Sequence, residues 1–205
     1  MTKKTTLYLA SQSPRRRELL TQIGVSFDVL AVDVDESVKN DETPEEYVIR
    51  LAKEKAVAGW YTENHTQKAV IGSDTAVVID GEILGKPKNS EDARRMLQLL
   101  SGKTHQVMTA VALASKSQSA SNLELNSVLS VSEVTFKTLS PNEIASYVNS
   151  GECDDKAGAY AIQGLAAAFI THLSGSYSGV MGLPLYETVE LLNNAGIRAD
   201  SLVVS

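Results

Sequence analysis

Cysteine is nearly absent from this chain of 205 residues, which contains Cys153 alone. A single cysteine excludes an internal disulfide framework. The apolar runs have the length of strands, so none is long enough to span a membrane. The first residues, Met1-Thr2-Lys3-Lys4, lack the apolar segment and cleavage site of a signal peptide. Together these absences predict a protein of the reducing cytoplasm without a membrane partner.

Positive charge and aromatic side chains are also scarce. The formal net charge is −6, and aromatic residues make up 5% of the chain. Nucleic-acid binding calls for a basic face or for aromatic side chains that stack on bases, so we expect no nucleic-acid partner. Cys153 and the histidines at 65, 105 and 172 lack the spacing of a zinc site. Each histidine is therefore expected to be structural or on the surface.

Against this acidic background, the sequence has one concentrated basic patch, formed by Arg15, Arg16 and Arg17. The patch begins a predicted helix, in which Ser13 suits the N-cap and Pro14 the first helical position. Each cation in the first turn of a helix costs about 0.3–1 kcal/mol, because that end carries partial positive charge. A bound phosphate would offset this cost. The alternative is that the arginines form a solvated charged face. The local pattern does not favour either interpretation over the other.

A helical wheel separates the three arginines. At about 100° per residue, Arg16 falls within the apolar stripe that contains Leu19 and Ile23. Arg15 falls on the flank of that stripe, and Arg17 points away from it. We therefore predict that Arg15 and Arg16 bind a ligand and that Arg17 lies on the surface. The phosphate-binding motifs GxxxxGK[ST] and GxGxxG are both missing.

Strand and helix patterns alternate irregularly along the chain, which predicts a mixed α/β sheet, long and twisted, flanked by helices. We expect one domain over residues 1–205, because no interdomain linker is evident. The predicted helices cover residues 14–23, 44–60, 90–100, 140–149 and 184–195. The predicted strands cover residues 7–10, 27–32, 69–73, 76–79, 82–84, 105–115 and 127–138, with a further pair near 168–181.

Lys55 and Asp74 are charged residues in apolar surroundings. Lys55 follows Leu51 by four positions, which places it on the apolar face of the predicted 44–60 helix. It either extends along that face to solvent or reaches a buried anion. Asp74 is predicted to end an apolar strand, where α/β proteins commonly place their sites. An Asp there suits a base or a metal ligand, and the acceptor of an Asx-turn is the alternative.

Three further residues have weaker signals. Glu36 lies in an acidic loop beside Asp33 and Asp35 and suits Mg²⁺, whereas a solvated loop is the preferred interpretation for its neighbours. Lys86 lies on a turn after the predicted hairpin, where it offers a cation to a ligand, although a surface lysine is the default interpretation. Gln163 lies in a loop of small residues, where its amide can hydrogen-bond the edge of a base, or where the loop is simply a turn.

The ordered motifs SxSPRR, VDE, EKA, GSDT, GKP, SGKTHQVMTAVAL, DKAGAY, IQG and GLPL run from about residue 7 to 192. Their combination resembles the Maf family of nucleoside triphosphate pyrophosphatases, which is structurally related to the inosine triphosphate pyrophosphatases. The resemblance implies an elongated α/β protein with a central cleft between two lobes. It also implies hydrolysis between the α and β phosphates, giving a nucleoside monophosphate and pyrophosphate, with a divalent cation, Mg²⁺ or Mn²⁺.

The resemblance also implies roles for particular residues. Asp74 would act as general base on the attacking water, and Glu36 and Asp74 would hold the metal, although the division of these roles stays open. The residues expected to hold the triphosphate are Ser11, Arg16, Lys55 and Lys86.

Substrate choice follows from three positions at which branches of the family differ. Arg15, Thr75 and Gln163 match the branch that prefers dTTP and UTP, whereas the 7-methyl-GTP branch has Trp, Gln and Glu there. Modified pyrimidine nucleotides are included in the expected substrate range. The alternative is a nucleotide-binding regulator of cell division and septum formation with little or no turnover. A homodimer is compatible with the sequence, which contains no pattern that requires one.

Overall fold

A computed structural model describes residues 7–62, 68–117 and 122–197 of the chain. The strands are β1 (Leu7–Leu9), β2 (Phe27–Val29), β3 (Ala69–Ile79), β4 (Glu82–Leu84), β5 (Thr104–Lys116), β6 (Leu123–Phe136) and β7 (Ile170–Ser174). The helices are α1 (Pro14–Gln22), α2 (Pro44–Thr62), α3 (Ser90–Leu100), α4 (Pro141–Asn149), α5 (Tyr177–Met181) and α6 (Leu185–Asn194). None of the helices in the described part of the chain combines the length and apolarity needed to cross a bilayer.

The strands form one mixed sheet in the order β2-β1-β3-β5-β6-β7, with β4 paired to β3 outside this path. β1 is parallel to both β2 and β3, whereas the remaining pairs are antiparallel. This confirms the predicted mixed α/β sheet flanked by helices. The predicted pair of strands near 168–181 is wrong in its second half, because Ser176 caps the short helix α5 there.

Apolar side chains divide the molecule into two lobes. In the first lobe, α2 packs on one face of the sheet, and α1 and α6 pack on the other face. In the second lobe, α3 and α4 pack against the far ends of β3, β5 and β6. Both lobes use the same long strands, since β5 pairs with β3 over Val70–Val78 and with β6 along its whole length.

Local signals explain most of the element boundaries. The hairpin between β3 and β4 turns at Asp80 and Gly81, both with positive φ, as its primed turn requires. The capping box of α4 forms between Ser140 and Glu143. The predicted cap at Ser90 is wrong by one residue, because Asn89 accepts the hydrogen bond from the third helical residue and Ser90 is already helical.

β3 has one edge that is only partly paired. β1 pairs with it at Ala69–Ile71, and β4 pairs with it from Val77 onward. Between these contacts, no described strand covers residues 72–76 on that edge. The prediction that a strand ends at Asp74 is therefore wrong, since β3 is continuous and Asp74 lies in its middle. The strand runs on because β5 still pairs with it on the other edge.

Candidate active site

The gap between β1 and β4 opens into a cleft of about 590 Å³. The cleft lies between the two lobes, and elements of both line it. Every predicted site residue is among its lining residues, namely Ser11, Arg15, Arg16, Glu36, Lys55, Asp74, Thr75, Lys86 and Gln163. The structure therefore brings together side chains that are far apart in the sequence, while their chemical roles stay predictions.

Arg16 is held in the cleft by three hydrogen bonds. Its Nε donates to the Gly182 carbonyl at 2.8 Å, and its Nη1 donates to Ser11 Oγ at 3.2 Å. Its Nη2 donates to Thr75 Oγ1 at 3.3 Å. One N–H on each terminal nitrogen is left for a ligand, because a guanidinium carries two on each. Burial lowers the pKa of Arg16, against the opposing charge of Asp74, yet an arginine keeps its charge.

The other two arginines of the patch differ in exposure. Arg15 is half-buried beside the cleft, whereas Arg17 is exposed, as the helical wheel predicts. Burial lowers the pKa of Arg15, and the nearby charge of Asp155 opposes this effect. Ser13 occupies the predicted N-cap position, but its side chain does not cap the helix. Instead, its backbone N–H donates to Ser11 Oγ at 3.2 Å, which shapes the turn beneath Arg16.

Lys55 reaches buried carboxylates from α2. Its Nζ donates to Asp74 Oδ1 at 2.6 Å and to Glu36 Oε1 at 2.7 Å. Gly72 permits this contact, because a Cβ there would overlap the Ala52 carbonyl and lie 2.6 Å from the backbone nitrogen of Ala56. The helix can therefore lie directly on β3, with Lys55 opposite Asp74. Of the two interpretations of Lys55, extension to solvent is wrong, since only 9% of the residue is exposed.

Glu36 is positioned by the helix that follows its loop. Its backbone carbonyl accepts a hydrogen bond of 3.0 Å from Tyr47 Oη on α2. Arg50, one turn further along, donates to the Ser37 carbonyl at 3.0 Å. On the opposite side of the cleft, Lys86 Nζ lies 3.5 Å from Glu36 Oε2. Glu36 therefore faces a cation from each lobe.

The carboxyl groups of Asp74 and Glu36 have different proton affinities. Burial raises the pKa of Asp74 above its ordinary range, and the charges of Lys55 and Arg16 oppose this rise. Burial also acts to raise the pKa of Glu36, but Lys55 and Lys86 outweigh it and leave that pKa lowered. Asp74 is thus the better proton acceptor of the two, and Glu36 is the more firmly ionised.

These two carboxylates can hold a divalent cation only together with a ligand. Within the described residues, no cluster of three or more His, Cys, Asp or Glu side chains has the arrangement of a metal site. Mg²⁺ usually takes one or two carboxylates and completes its shell with substrate phosphates and water. The oxygen donors of Glu36 and Asp74, which converge on Lys55 Nζ, fit that mode of binding.

Thr75 and Gln163 face the cleft from different lobes. Thr75 Oγ1 lies 2.9 Å from Thr109 Oγ1, whose proton goes to the Gly179 carbonyl at 2.8 Å. Thr75 must therefore donate to Thr109, and it accepts from Arg16. Gln163 is exposed in a turn of the second lobe.

Several residues that shape the cleft have little or no signal in the sequence. Gly182 has a φ of +112°, and its carbonyl accepts hydrogen bonds from both Arg16 and Ser73. Its only signal in the sequence is its place in the GLPL motif. Tyr47 and Thr109 appear as ordinary helix and strand residues, because nothing local indicates which polar group a buried hydroxyl will meet.

Comparison with known proteins shows extensive similarity. The family model described as Maf-like protein matches residues 6–195. A dTTP/UTP pyrophosphatase of Pseudoalteromonas atlantica is 52% identical over 196 residues, which cover 95% of this chain and 99% of that protein. One from Escherichia coli is 50% identical over 190 residues, covering 93% of each chain. One from Salmonella typhimurium is 52% identical over 196 residues, covering 96% of each chain.

A search of solved structures finds the Ham1 protein of Staphylococcus aureus. It is 17% identical and has a TM-score of 0.39, over 63% of this chain and 71% of that one. This likeness is too low to support any statement about the present chain.

Proposed function

Because the chain belongs to the Maf family, as the match to most of its length shows, we propose that it hydrolyses dTTP and UTP to the monophosphate and pyrophosphate. Relatives with about half of their residues identical are named dTTP/UTP pyrophosphatases. The observation that carries the proposal is the convergence of Arg16, Lys55 and Lys86 on one cleft that also contains Asp74 and Glu36. Three cations suit the binding of a polyanion, and the two carboxylates beside them suit the activation of a water that attacks it.

The cations hold the triphosphate in this proposal. Arg16 uses its free N–H groups as a fork for phosphate oxygens, and Ser11 adds a hydroxyl. Lys86 approaches from the second lobe, so the triphosphate lies across the gap between the lobes. Fixing the α phosphorus in line with the attacking water supplies much of the rate enhancement, because positioning dominates phosphoryl chemistry.

Asp74 accepts the proton of the attacking water. Its burial strengthens it as a base, and Lys55 orients the carboxylate through the bond to Oδ1. The water oxygen bonds to the α phosphorus while the bond from that phosphorus to the oxygen bridging to the β phosphate breaks. Pyrophosphate leaves with the electron pair, and the cations of the cleft stabilise its charge.

Glu36 and Asp74 would hold the divalent cation, Mg²⁺ or Mn²⁺, which supplies charge neutralisation at the phosphates when bound. Lys55 bridges these carboxylates and offsets their mutual repulsion, because its ammonium donates to both. Arg15, Thr75 and Gln163 recognise the pyrimidine base or its setting. Modified pyrimidines belong to the same proposed substrate range.

The whole chain acts as one pyrophosphatase domain in this proposal, since the long strands run through both lobes. Cys153 is a buried free thiol, which suits a reducing cytoplasm.

The decisive experiment is a panel of nucleoside triphosphates with identification of both products. We expect dTTP and UTP to give the monophosphate and pyrophosphate in the presence of Mg²⁺ or Mn²⁺. Release of orthophosphate would indicate a phosphatase, and preference for 7-methyl-GTP would overturn the substrate assignment. Binding without turnover would favour the regulator of cell division. The variant Asp74→Asn serves as the inactive control.

A further inference from the structure

The turn that carries Gln163 is clamped from beneath by two residues that have no assigned role. Gln163 lies in the middle of the segment 161–165, between two 3-10 turns. Tyr147 projects from α4 toward one end of this segment, and Glu152 reaches the other end. The segment is therefore attached to the second lobe on both sides of Gln163.

The clamp consists of a chain of hydrogen bonds. Tyr147 Oη accepts from the Ala161 N–H at 3.2 Å and donates to Glu152 Oε1 at 2.9 Å. Glu152 Oε2 accepts from the Leu165 N–H at 2.9 Å, and its Oε1 accepts from the Ala166 N–H at 3.3 Å. One carboxylate thus joins the helix to the turn. Burial, and after it the bond to Glu152, raises the pKa of Tyr147, so its hydroxyl stays protonated as a donor.

Gly164 is required for this arrangement. A Cβ at Gly164 would overlap the Glu152 carboxylate, so only glycine lets the carboxylate approach the backbone here. The presence of glycine at this position of the IQG motif thus has a steric explanation that does not depend on the substrate. A further backbone hydrogen bond, from the Gly164 N–H to the Ala161 carbonyl at 3.1 Å, closes the turn around Gln163.

We propose that Tyr147 and Glu152 are positioning residues that fix Gln163 against the nucleobase and so set substrate choice. This inference rests on the proposed function, in which Gln163 reads the base. Gln163 is exposed, so burial does not fix the direction of its side chain. Its geometry is therefore determined by the backbone that carries it. An amide can distinguish donors from acceptors on a base only if it is held within hydrogen-bonding reach.

The test compares the variants Tyr147→Phe and Glu152→Gln with the wild-type enzyme. We expect each to raise the KM for dTTP about tenfold and to reduce the preference for dTTP over other triphosphates by a similar factor. The kcat for dTTP and the inhibition constant of inorganic tripolyphosphate should stay within about twofold, because the clamp does not touch the phosphate end. Tripolyphosphate is the probe for that end, since it lacks a base.

A matched control tests for a general loss of stability. Glu143→Gln weakens the capping box of the same helix α4 and its ion pair with Lys137, and these contacts lie at the first turn of the helix. This variant should leave substrate preference unchanged. If Glu143→Gln and Glu152→Gln changed the preference for dTTP equally, the inference would be overturned. The change would then reflect the stability of α4 alone.

A double-mutant cycle decides whether Glu152 acts through Gln163. We expect Glu152→Gln to change the KM for dTTP in the wild-type background and to change it no further in a Gln163→Ala background. Equal effects in both backgrounds, or no effect of Gln163→Ala itself, would refute the positioning role. Failure of the wild-type protein to form dTMP and pyrophosphate would instead refute the proposed function, so the two failures are distinguishable.

Discussion

Acidification from about pH 7 to about pH 5 should destabilise the protein through His105. This side chain lies on β5 and is 2% exposed. Its Nε2 lies 2.9 Å from Tyr160 Oη, and its Nδ1 has no hydrogen-bond partner among the described residues. Burial lowers the pKa of His105 to about 4. An imidazolium here would be a buried charge whose Nδ1–H has no acceptor among the described residues.

The sign of the effect follows from proton binding by the two states. In the unfolded chain the histidine has a pKa of about 6.5 and takes up a proton as the pH falls. In the folded chain it stays neutral until about pH 4. The stabilisation from the neutral side chain is thus present above the unfolded pKa and is lost as the pH falls toward the folded pKa. Through this difference in proton binding, the free energy of unfolding falls by about 2 kcal/mol between pH 7 and pH 5.

Urea unfolding of the wild-type protein and of His105→Gln at both pH values measures this contribution. The carboxyl groups titrate in both proteins, so their effect cancels in the comparison. We expect the variant to lose about 2 kcal/mol less than the wild type on acidification, whatever its stability at neutral pH. An equal loss in both proteins, or an NMR titration of His105 with a midpoint near about 6.5, would refute the reasoning.

Three further predictions concern the cleft. Asp74→Asn should lower kcat by about 10²–10⁴-fold with an unchanged circular dichroism spectrum, and near-normal turnover would exclude it as the base. Arg16→Lys should raise the KM for dTTP about tenfold because the fork is lost, whereas Arg17→Lys on the exposed side should behave as wild type in the same kinetic assay. Gly72→Ala should cost about 1–3 kcal/mol in unfolding free energy by pushing α2 off β3, while Gly85→Ala, with open space around it, should cost little.

The elements with strong local signals were predictable from the sequence. The hairpin at Asp80 and Gly81 and the capping box at Ser140 depend on residues adjacent in the chain, and both are confirmed. The continuity of β3 through Asp74 was not predictable, because a polar residue in an apolar run usually indicates the end of a strand. Pairing with β5 overrides this signal, and the residue that pairs with Asp74 is Ala110, far along the chain.

In the candidate site, too, local features were predictable from the sequence, whereas contacts between distant residues were not. The apolar face of α2 predicts the burial of Lys55, but it cannot identify the carboxylates that Lys55 meets. Spacing alone leaves both extension to solvent and a buried anion open, with extension to solvent slightly favoured. The resemblance to a family selects the cleft residues, and the structure gathers them in one place. The contacts that hold them, such as the bond from Tyr47 to the backbone of Glu36, depend on tertiary packing and have no local signature.

Because the two lobes share long strands, the fold constrains how the cleft can open for substrate entry and product release. A hinge motion that widened or narrowed the cleft would have to bend the ladder in which β5 pairs with both β3 and β6. Cooperative backbone hydrogen bonds of this kind resist such bending, so we expect the gap to keep a nearly constant width. Substrate entry and pyrophosphate exit then take place through a standing opening, and slow amide hydrogen exchange is expected along β5 with or without bound nucleotide.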